Sequence, residues 1–255
     1  MGFLHAGHLS LVRKSKEICD ITVVSIFINP TQFAAGEDLD KYPRDVERDS
    51  NLLINEGVDY LFLPSSGEIY PDNFQTYVSV EHITKKLEGK FRPSHFRGVT
   101  TVVNILFNSV MPDYAFFGQK DAQQAAVIRQ MVCDLKIPVE IIVCPIIREA
   151  DGLAMSSRNV YLLDKERNDA LVLHNSLQAG MQKIMQGEKR VHAILSEMSQ
   201  RINKVGSAQL DYVQIVEADT FEFIDELEPG NNYYILIACK IGKTRLIDNE
   251  LIKVQ

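Results

Sequence analysis

Cysteine is scarce in this chain and never paired. Cys19, Cys133, Cys144 and Cys239 are scattered over 255 residues with no C-x-x-C spacing. That excludes a disulfide scaffold or a structural zinc site as the organising feature and fits a reducing cytosol; the four read as buried structural thiols. Apolar runs are short as well, and none approaches the roughly 20 residues of a membrane span. The opening lacks a basic region followed by an apolar stretch and a small-residue cleavage site, so no signal peptide is expected. N-myristoylation would ask for Ser or Thr at position 6, where Ala6 stands. Positive charge is in deficit: 27 Lys and Arg against 34 Asp and Glu give a net charge of -7. Broad nucleic-acid binding, which needs a basic face, is therefore not expected. Two fingerprints are also missing, G-x-G-x-x-G and G-x-x-x-x-G-K-[ST], which disfavours a dinucleotide site and a P-loop.

What is present is an ordinary globular composition, 45% hydrophobic and 24% charged, with length for one large domain or two modest ones. In residues 9–20 the apolar positions Leu11, Val12, Ile18 and Cys19 share a helical face. Residues 21–28 are a near-continuous β-branched run, which reads as a strand buried on both faces of a parallel sheet. It stops at Asn29-Pro30-Thr31-Gln32-Phe33. A polar helix over 43–56 closes at Gly57, and a strand over 58–63 closes at Pro64. Helices over 98–110 and 121–135 then alternate with strands over 114–117 and 139–147. The alternation predicts a doubly wound α/β domain, whose ligands sit beyond the carboxyl ends of the strands. After the loop 148–159, helical patterns over 165–186 and 188–204 precede strands over 209–217, 233–241 and 244–248. That order predicts a smaller α+β domain, with domains 1–150 and 151–255.

Several stretches carry candidate chemistry. In His5-Ala6-Gly7-His8, histidines three apart at a helix start can turn both rings the same way. Gly7 lets a ligand approach the backbone, and the helix N-terminus favours phosphate. Such a pair can donate to phosphate oxygens as negative charge builds; the plainer alternative is a cap with two incidental histidines. Phe117-Gly118-Gln119-Lys120-Asp121 lies where a strand becomes a helix. Lys120 is placed to reach a phosphate, while Asp121 caps the helix or accepts a ribose hydroxyl. Gln124, one turn further, faces the same crevice, and Gln123 points elsewhere. In Met155-Ser156-Ser157-Arg158 the hydroxyls and the Arg fork suit phosphate oxygens; a polar linker, which also holds Arg148, Glu149 and Asp151, is the alternative. A turn around Pro30 explains Asn29 and Pro30 but not Gln32, whose neutral amide can read polar substrate groups. Of the acidic residues Asp38, Asp40, Asp45, Glu47 and Asp49, most belong to a solvated helix face, and Asp49 is the candidate magnesium contact. His95-Phe96-Arg97-Gly98 either binds an anion or caps a helix. His82, His174 and His192 are expected in surface or core roles.

Together these stretches, with Asp38-Leu39-Asp40-Lys41-Tyr42-Pro43-Arg44-Asp45 and Arg148-Glu149-Ala150-Asp151-Gly152-Leu153-Ala154, resemble the pantothenate synthetase (pantoate–β-alanine ligase) family. They run in the family's order with similar spacing to about residue 160; past 165 the likeness is architectural. The resemblance implies a Rossmann-like nucleotidyltransferase fold with a smaller C-terminal lid domain. It implies ATP-dependent joining of pantoate to β-alanine through a pantoyl-adenylate, with Mg2+, in a cytoplasmic homodimer that needs no nucleic acid or membrane. His8 takes the family's proton-donor role and His5 its phosphate contact, with Lys120 and Arg158 as further catalytic groups. Met1, Gly2, Phe3, Leu4, His5, Ala6, Gly7 and His8 line the ATP site, with Gly118, Gln119, Lys120, Asp121, Ile147, Met155, Ser156, Ser157 and Arg158. Gln32 and Gln124 bind pantoate, Gln32 also meets β-alanine, and Asp49 falls where magnesium reaches ATP. The family also has about one strand and one helix ahead of the histidine turn, ending in Pro-Thr. This chain opens at the following Met, and the expectation is a shortened chain or a misassigned start codon. The family's Tyr after Lys-Asp is Ala122 here, which is expected to loosen packing nearby.

Overall fold

The computed structural model describes residues 2–33 and 39–255. The chain divides into two compact units. The first comprises Met1–Gln119 and Gln123–Pro145, the second Lys120–Ala122 and Ile146–Gln255.

The first unit opens with α1 (Ala6–Ile18), which turns Leu9 and Val12 inward. They join Leu4, Val24, Ile26 and Leu53 in one apolar cluster; each such side chain contributes roughly 1.5–3 kcal/mol when fully buried. The β-branched run is a strand for three residues only, β1 (Val23–Ser25). It pairs in parallel with β2 (Tyr60–Phe62), Val24 opposite Leu61. The expected burial on both faces does not hold: Val24 is buried, but Ile21 is 60% exposed and Val23 36%. Between the strands lies α2 (Val46–Asn55), started by Asp45, whose side chain accepts from Arg48 N. The next turns are α3 (Ser66–Ile69), started by a Ser65/Glu68 capping box, and α4 (Glu88–Phe91). Next comes α5 (His95–Val110), ended by Met111 in the left-handed conformation. Then β3 (Tyr114–Gly118) pairs in parallel with β4 (Glu140–Cys144), Gly118 opposite Cys144. The crossover that parallel pairing demands is α6 (Ala122–Leu135). The Asn29 loop thus follows β1, and the Gly118 turn follows β3.

In the second unit the pattern over 165–186 is two helices that meet at Ala170, α7 (Asp164–Asp169) and α8 (Leu171–Met185). They precede α9 (Val191–Ile202). An antiparallel sheet follows in the order β5 (Ala208–Glu217), β6 (Asn232–Ile241), β7 (Thr244–Lys253). As the central strand, β6 is buried at nearly every position. Ile235, Ile237, Cys239 and Ile241 pack with Leu173, Leu177, Ile194 and Met198 of α8 and α9. Among the described residues, no helix is long and apolar enough to cross a membrane.

Candidate active site

The histidine turn is built by its own hydrogen bonds. His5 is the N-cap of α1: its Nδ1 accepts from Gly7 N at 3.1 Å, and His5 N donates to Nδ1 of His8 at 3.3 Å. The ring centroids lie 4.0 Å apart. Each Nδ1 accepts from a backbone N–H, so the proton of each neutral ring sits on Nε2. The cap and the paired rings therefore coexist at the positive end of a 13-residue helix.

Behind this turn, Leu4 N donates to Asp49 Oδ1 at 2.7 Å. Arg48 closes the clamp. Its Nη1 donates to Asp49 Oδ1 at 3.2 Å, its Nη2 to Leu4 O at 2.8 Å, and its guanidinium lies over the Phe3 ring. The clamp holds Phe3 at φ 49, a conformation uncommon outside glycine. Asp49 is 1% exposed. Nothing in the sequence marked Arg48.

The Asn29 loop is equally fastened. Buried Asn29 donates to Gly98 O at 3.0 Å and accepts from Thr31 and from the Tyr70 hydroxyl. Desolvation of Tyr70 outweighs its hydrogen bonds to Thr31 and Asn29 and raises its phenol above the ordinary value, so it remains a donor. Gln32 ends the turn Pro30–Gln32. Its carbonyl meets His95 Nδ1 at 3.0 Å and Arg92 Nη2 at 3.3 Å. Ser94, not His95, is the N-cap of α5. Arg97 stacks on Tyr77, 3.8 Å from its centroid. Gln123 belongs to a separate network, holding Glu88 N, Ile83 O and Lys86 O. Gln124 is partly buried on α6.

Other expected residues fall in the second unit. Residues 147–155 form a small hairpin: Met155 N donates to Ile147 O, Arg148 bridges Ala154, and Glu149 N donates to Leu153 O. Gly152 turns its tip at φ +99, where a Cβ would lie 2.4 Å from the His174 ring. Ser156 then caps the turn Ser157–Tyr161, its hydroxyl accepting from Arg158 N. Arg148 anchors the hairpin to β7 through Asp248 (2.7 and 3.1 Å) and Glu250 (2.7 Å). Burial alone would lower the Arg148 pKa; Asp248 and Glu250 hold it above its ordinary value. Asn249, buried between them in sequence, donates to Lys120 O at 3.0 Å. Neighbouring residues of β7 thus anchor both the hairpin and the Lys120 turn, and only a polar triplet inside a strand pattern hinted at it.

Hence Gly2, Phe3, Leu4, His5, Ala6, Gly7, His8 and Asp49 gather in the first unit. Lys120, Asp121, Ile147, Met155, Ser156, Ser157 and Arg158 belong to the second. Gly118 and Gln119 end the β3 side of the first. Met1 and Asp38 lie outside the described residues. Ala122 is 3% exposed, fully enclosed at the start of α6.

An α/β ligase of Rossmann-like type, with a smaller α+β unit after it, is the class these features define. The model of the pantoate-beta-alanine ligase family matches residues 1–251. Pantothenate synthetase of Caldicellulosiruptor bescii is 54% identical over 255 residues, 100% of this chain and 90% of that protein. The solved pantothenate synthetase of Thermus thermophilus matches with a TM-score of 0.94 at 44% identity, covering 98% of this chain and 90% of that one. Pantoate-beta-alanine ligase of Francisella tularensis, solved with beta-gamma ATP and beta-alanine, matches at 36% identity and TM-score 0.78, covering 98% and 87%. The chain belongs to the pantoate–β-alanine ligase family.

Proposed function

We propose that the chain condenses pantoate with β-alanine at the expense of ATP, through a pantoyl-adenylate, in a cytoplasmic homodimer. The observation that carries the reading is the histidine pair at the start of α1, both Nδ1 atoms committed to backbone N–H groups and both ring protons on Nε2.

Gln32 and Gln124 orient pantoate so that its carboxylate oxygen attacks the α-phosphorus of ATP. The bond from that phosphorus to the bridging oxygen breaks, and pyrophosphate leaves with the electron pair. Nε2–H of His8 donates to the oxygens that gain charge, His5 contacts the phosphates, and Lys120 and Arg158 add positive charge. Gly2, Phe3, Leu4, Ala6, Gly7, Gly118, Gln119, Asp121, Ile147, Met155, Ser156 and Ser157 line the nucleotide site. The β-alanine amine then attacks the acyl carbon, AMP leaves, and the amine gives up its proton. No covalent enzyme nucleophile is required.

Magnesium bound through nucleotide phosphates takes one or two protein carboxylates rather than a cage. Among the described residues there is no cluster of three or more metal-binding side chains. Asp49 supplies a single carboxylate beside the histidine turn, but it is 1% exposed and its Oδ1 already accepts from Leu4 N and Arg48, so only its other oxygen would be left for such a contact. When bound, the ion would neutralise triphosphate charge.

Pantoate-dependent exchange of labelled pyrophosphate into ATP tests the reading. His8→Ala is expected to stay folded and to lose exchange by about 10²-fold or more. Near-normal exchange would remove His8 from the chemistry. Exchange that responds to an amino acid or a phospho-sugar instead of pantoate would reassign the substrate.

A further inference from the structure

Two side chains converge on one backbone oxygen, the carbonyl of Gln32. His95, on the first turn of α5, meets it through Nδ1 at 3.0 Å. Arg92, just before that helix, meets it through Nη2 at 3.3 Å, and Arg92 Nη1 lies 3.3 Å from His95 Nε2. A carbonyl oxygen only accepts, so the ring proton sits on Nδ1 and Nε2 accepts from the guanidinium. Arg92 thus orients His95, and both hold Gln32 O. This is the opposite tautomer from that of His5 and His8, and it leaves His95 the donor to a protein carbonyl.

The rest of the turn is fixed from the same helix. Asn29 Nδ2 donates to Gly98 O at 3.0 Å. Gly98 has no side chain where a Cβ would meet the backbone of Thr31 and Gln32 at 2.6 to 2.7 Å. The start of α5 therefore grips both ends of a three-residue turn. A Gln side chain has three rotatable bonds, and its aim depends on the frame from which it springs.

We infer that His95 and Arg92 are positioning residues for substrate selection: by fixing the Gln32 carbonyl they set the direction in which the Gln32 amide meets pantoate. The inference rests on the reading of Gln32 as a pantoate contact, and the experiment separates the two.

Pantoate-dependent pyrophosphate exchange isolates the first half-reaction from β-alanine. His95→Ala is expected to raise the KM for pantoate roughly five- to tenfold, the scale of one neutral hydrogen bond, with the KM for ATP within about twofold. A purely structural role would instead lower kcat for folded enzyme without favouring one substrate. His95→Asn, whose Nδ2 replaces the Nδ1 donor, is expected to recover most of the loss. Arg92→Gln, at a partly buried position, is expected to raise the same KM by a smaller factor. In Gln32→Ala/His95→Ala the two effects are expected not to multiply. Effects that do multiply, or an unchanged pantoate KM in folded His95→Ala and Arg92→Gln, would overturn the inference. If Gln32→Ala itself leaves the pantoate KM unaltered, the substrate contact is wrong and the inference falls with it.

Discussion

Truncating Asp49 strands the Leu4 N–H in a buried place. The carboxylate accepts from that N–H at 2.7 Å and is 1% exposed, so no water replaces it. An unsatisfied buried donor costs about 1–3 kcal/mol, and Arg48 loses a partner at the same time. Asp49→Ala is therefore expected to lower the urea midpoint by that scale. Asp49→Asn keeps a carbonyl acceptor and is expected to lose less than half as much. The two variants also sort the roles of this residue. If Asp49 meets magnesium as well as Leu4, the Asn variant needs more Mg2+ for half-maximal exchange; if it only clamps the turn, the Mg2+ requirement stays put. A wild-type midpoint in Asp49→Ala would end the clamp account. The burial of Asp49 was legible in part. It stands four residues before Leu53, and these two are the buried residues of α2, so helical spacing separates Asp49 from Glu47; Asp45 shares the spacing and is set apart by its place as the N-cap. Arg48 carried no such signal, because its work depends on a chain segment 44 residues away.

The start of α5 shows how an element is fixed by what its backbone must approach. Gly98→Ala would push a methyl group to 2.6 Å from the Thr31 carbonyl. Backbone cannot yield as a side-chain tip can, so the turn Pro30–Gln32 must move. The expected result is about 1–3 kcal/mol lost to overpacking, accompanied by a higher pantoate KM. Ala at Gly67, where a Cβ meets nothing within 4 Å, is the control. Equal effects of the two substitutions would show that the Gly98 contact is unimportant. The apolar pattern starts α5 at Gly98, yet the helix begins three residues earlier at His95, because His95 and Arg97 leave buried Phe96 as the sole apolar residue ahead of Gly98. The long helices were legible from spacing, since they turn one apolar face to a core. Four-residue α3 and α4 are too short for any period to appear. Strand lengths depart from the apolar pattern in both directions. The apolar run over 21–28 is a strand for only three residues, because ladder pairing depends on a partner strand rather than on propensity. The apolar pattern ends at Asp248 but the strand runs to Lys253, since Asp248, Asn249 and Glu250 interrupt the alternation, the first two buried as anchors.

At the scale of the molecule, two units with separate apolar cores need not unfold in one step, so stability must be read locally. Cys239 offers a local handle in the second unit. It lies on the central strand with no exposure, and burial pushes its thiol up to about 11. The unfolded thiol titrates near 8.5. The native state therefore keeps a proton that the unfolded state releases. Its contribution is fully present below about pH 8.5 and is lost as pH rises towards about 11. Amide exchange of β6 measures it without interference from the first unit, and Cys239→Ala removes the titrating group. The stability gap between wild type and the variant is expected to be constant from pH 7 to 8 and to narrow steadily above pH 9, whatever the other alkaline groups do. Iodoacetamide at pH 8 is expected to modify exposed Cys133 long before Cys239. A gap that stays constant to pH 10.5, or a Cys239 that alkylates as fast as Cys133, would show that the strand is open to solvent and that the second unit is not held as a closed core.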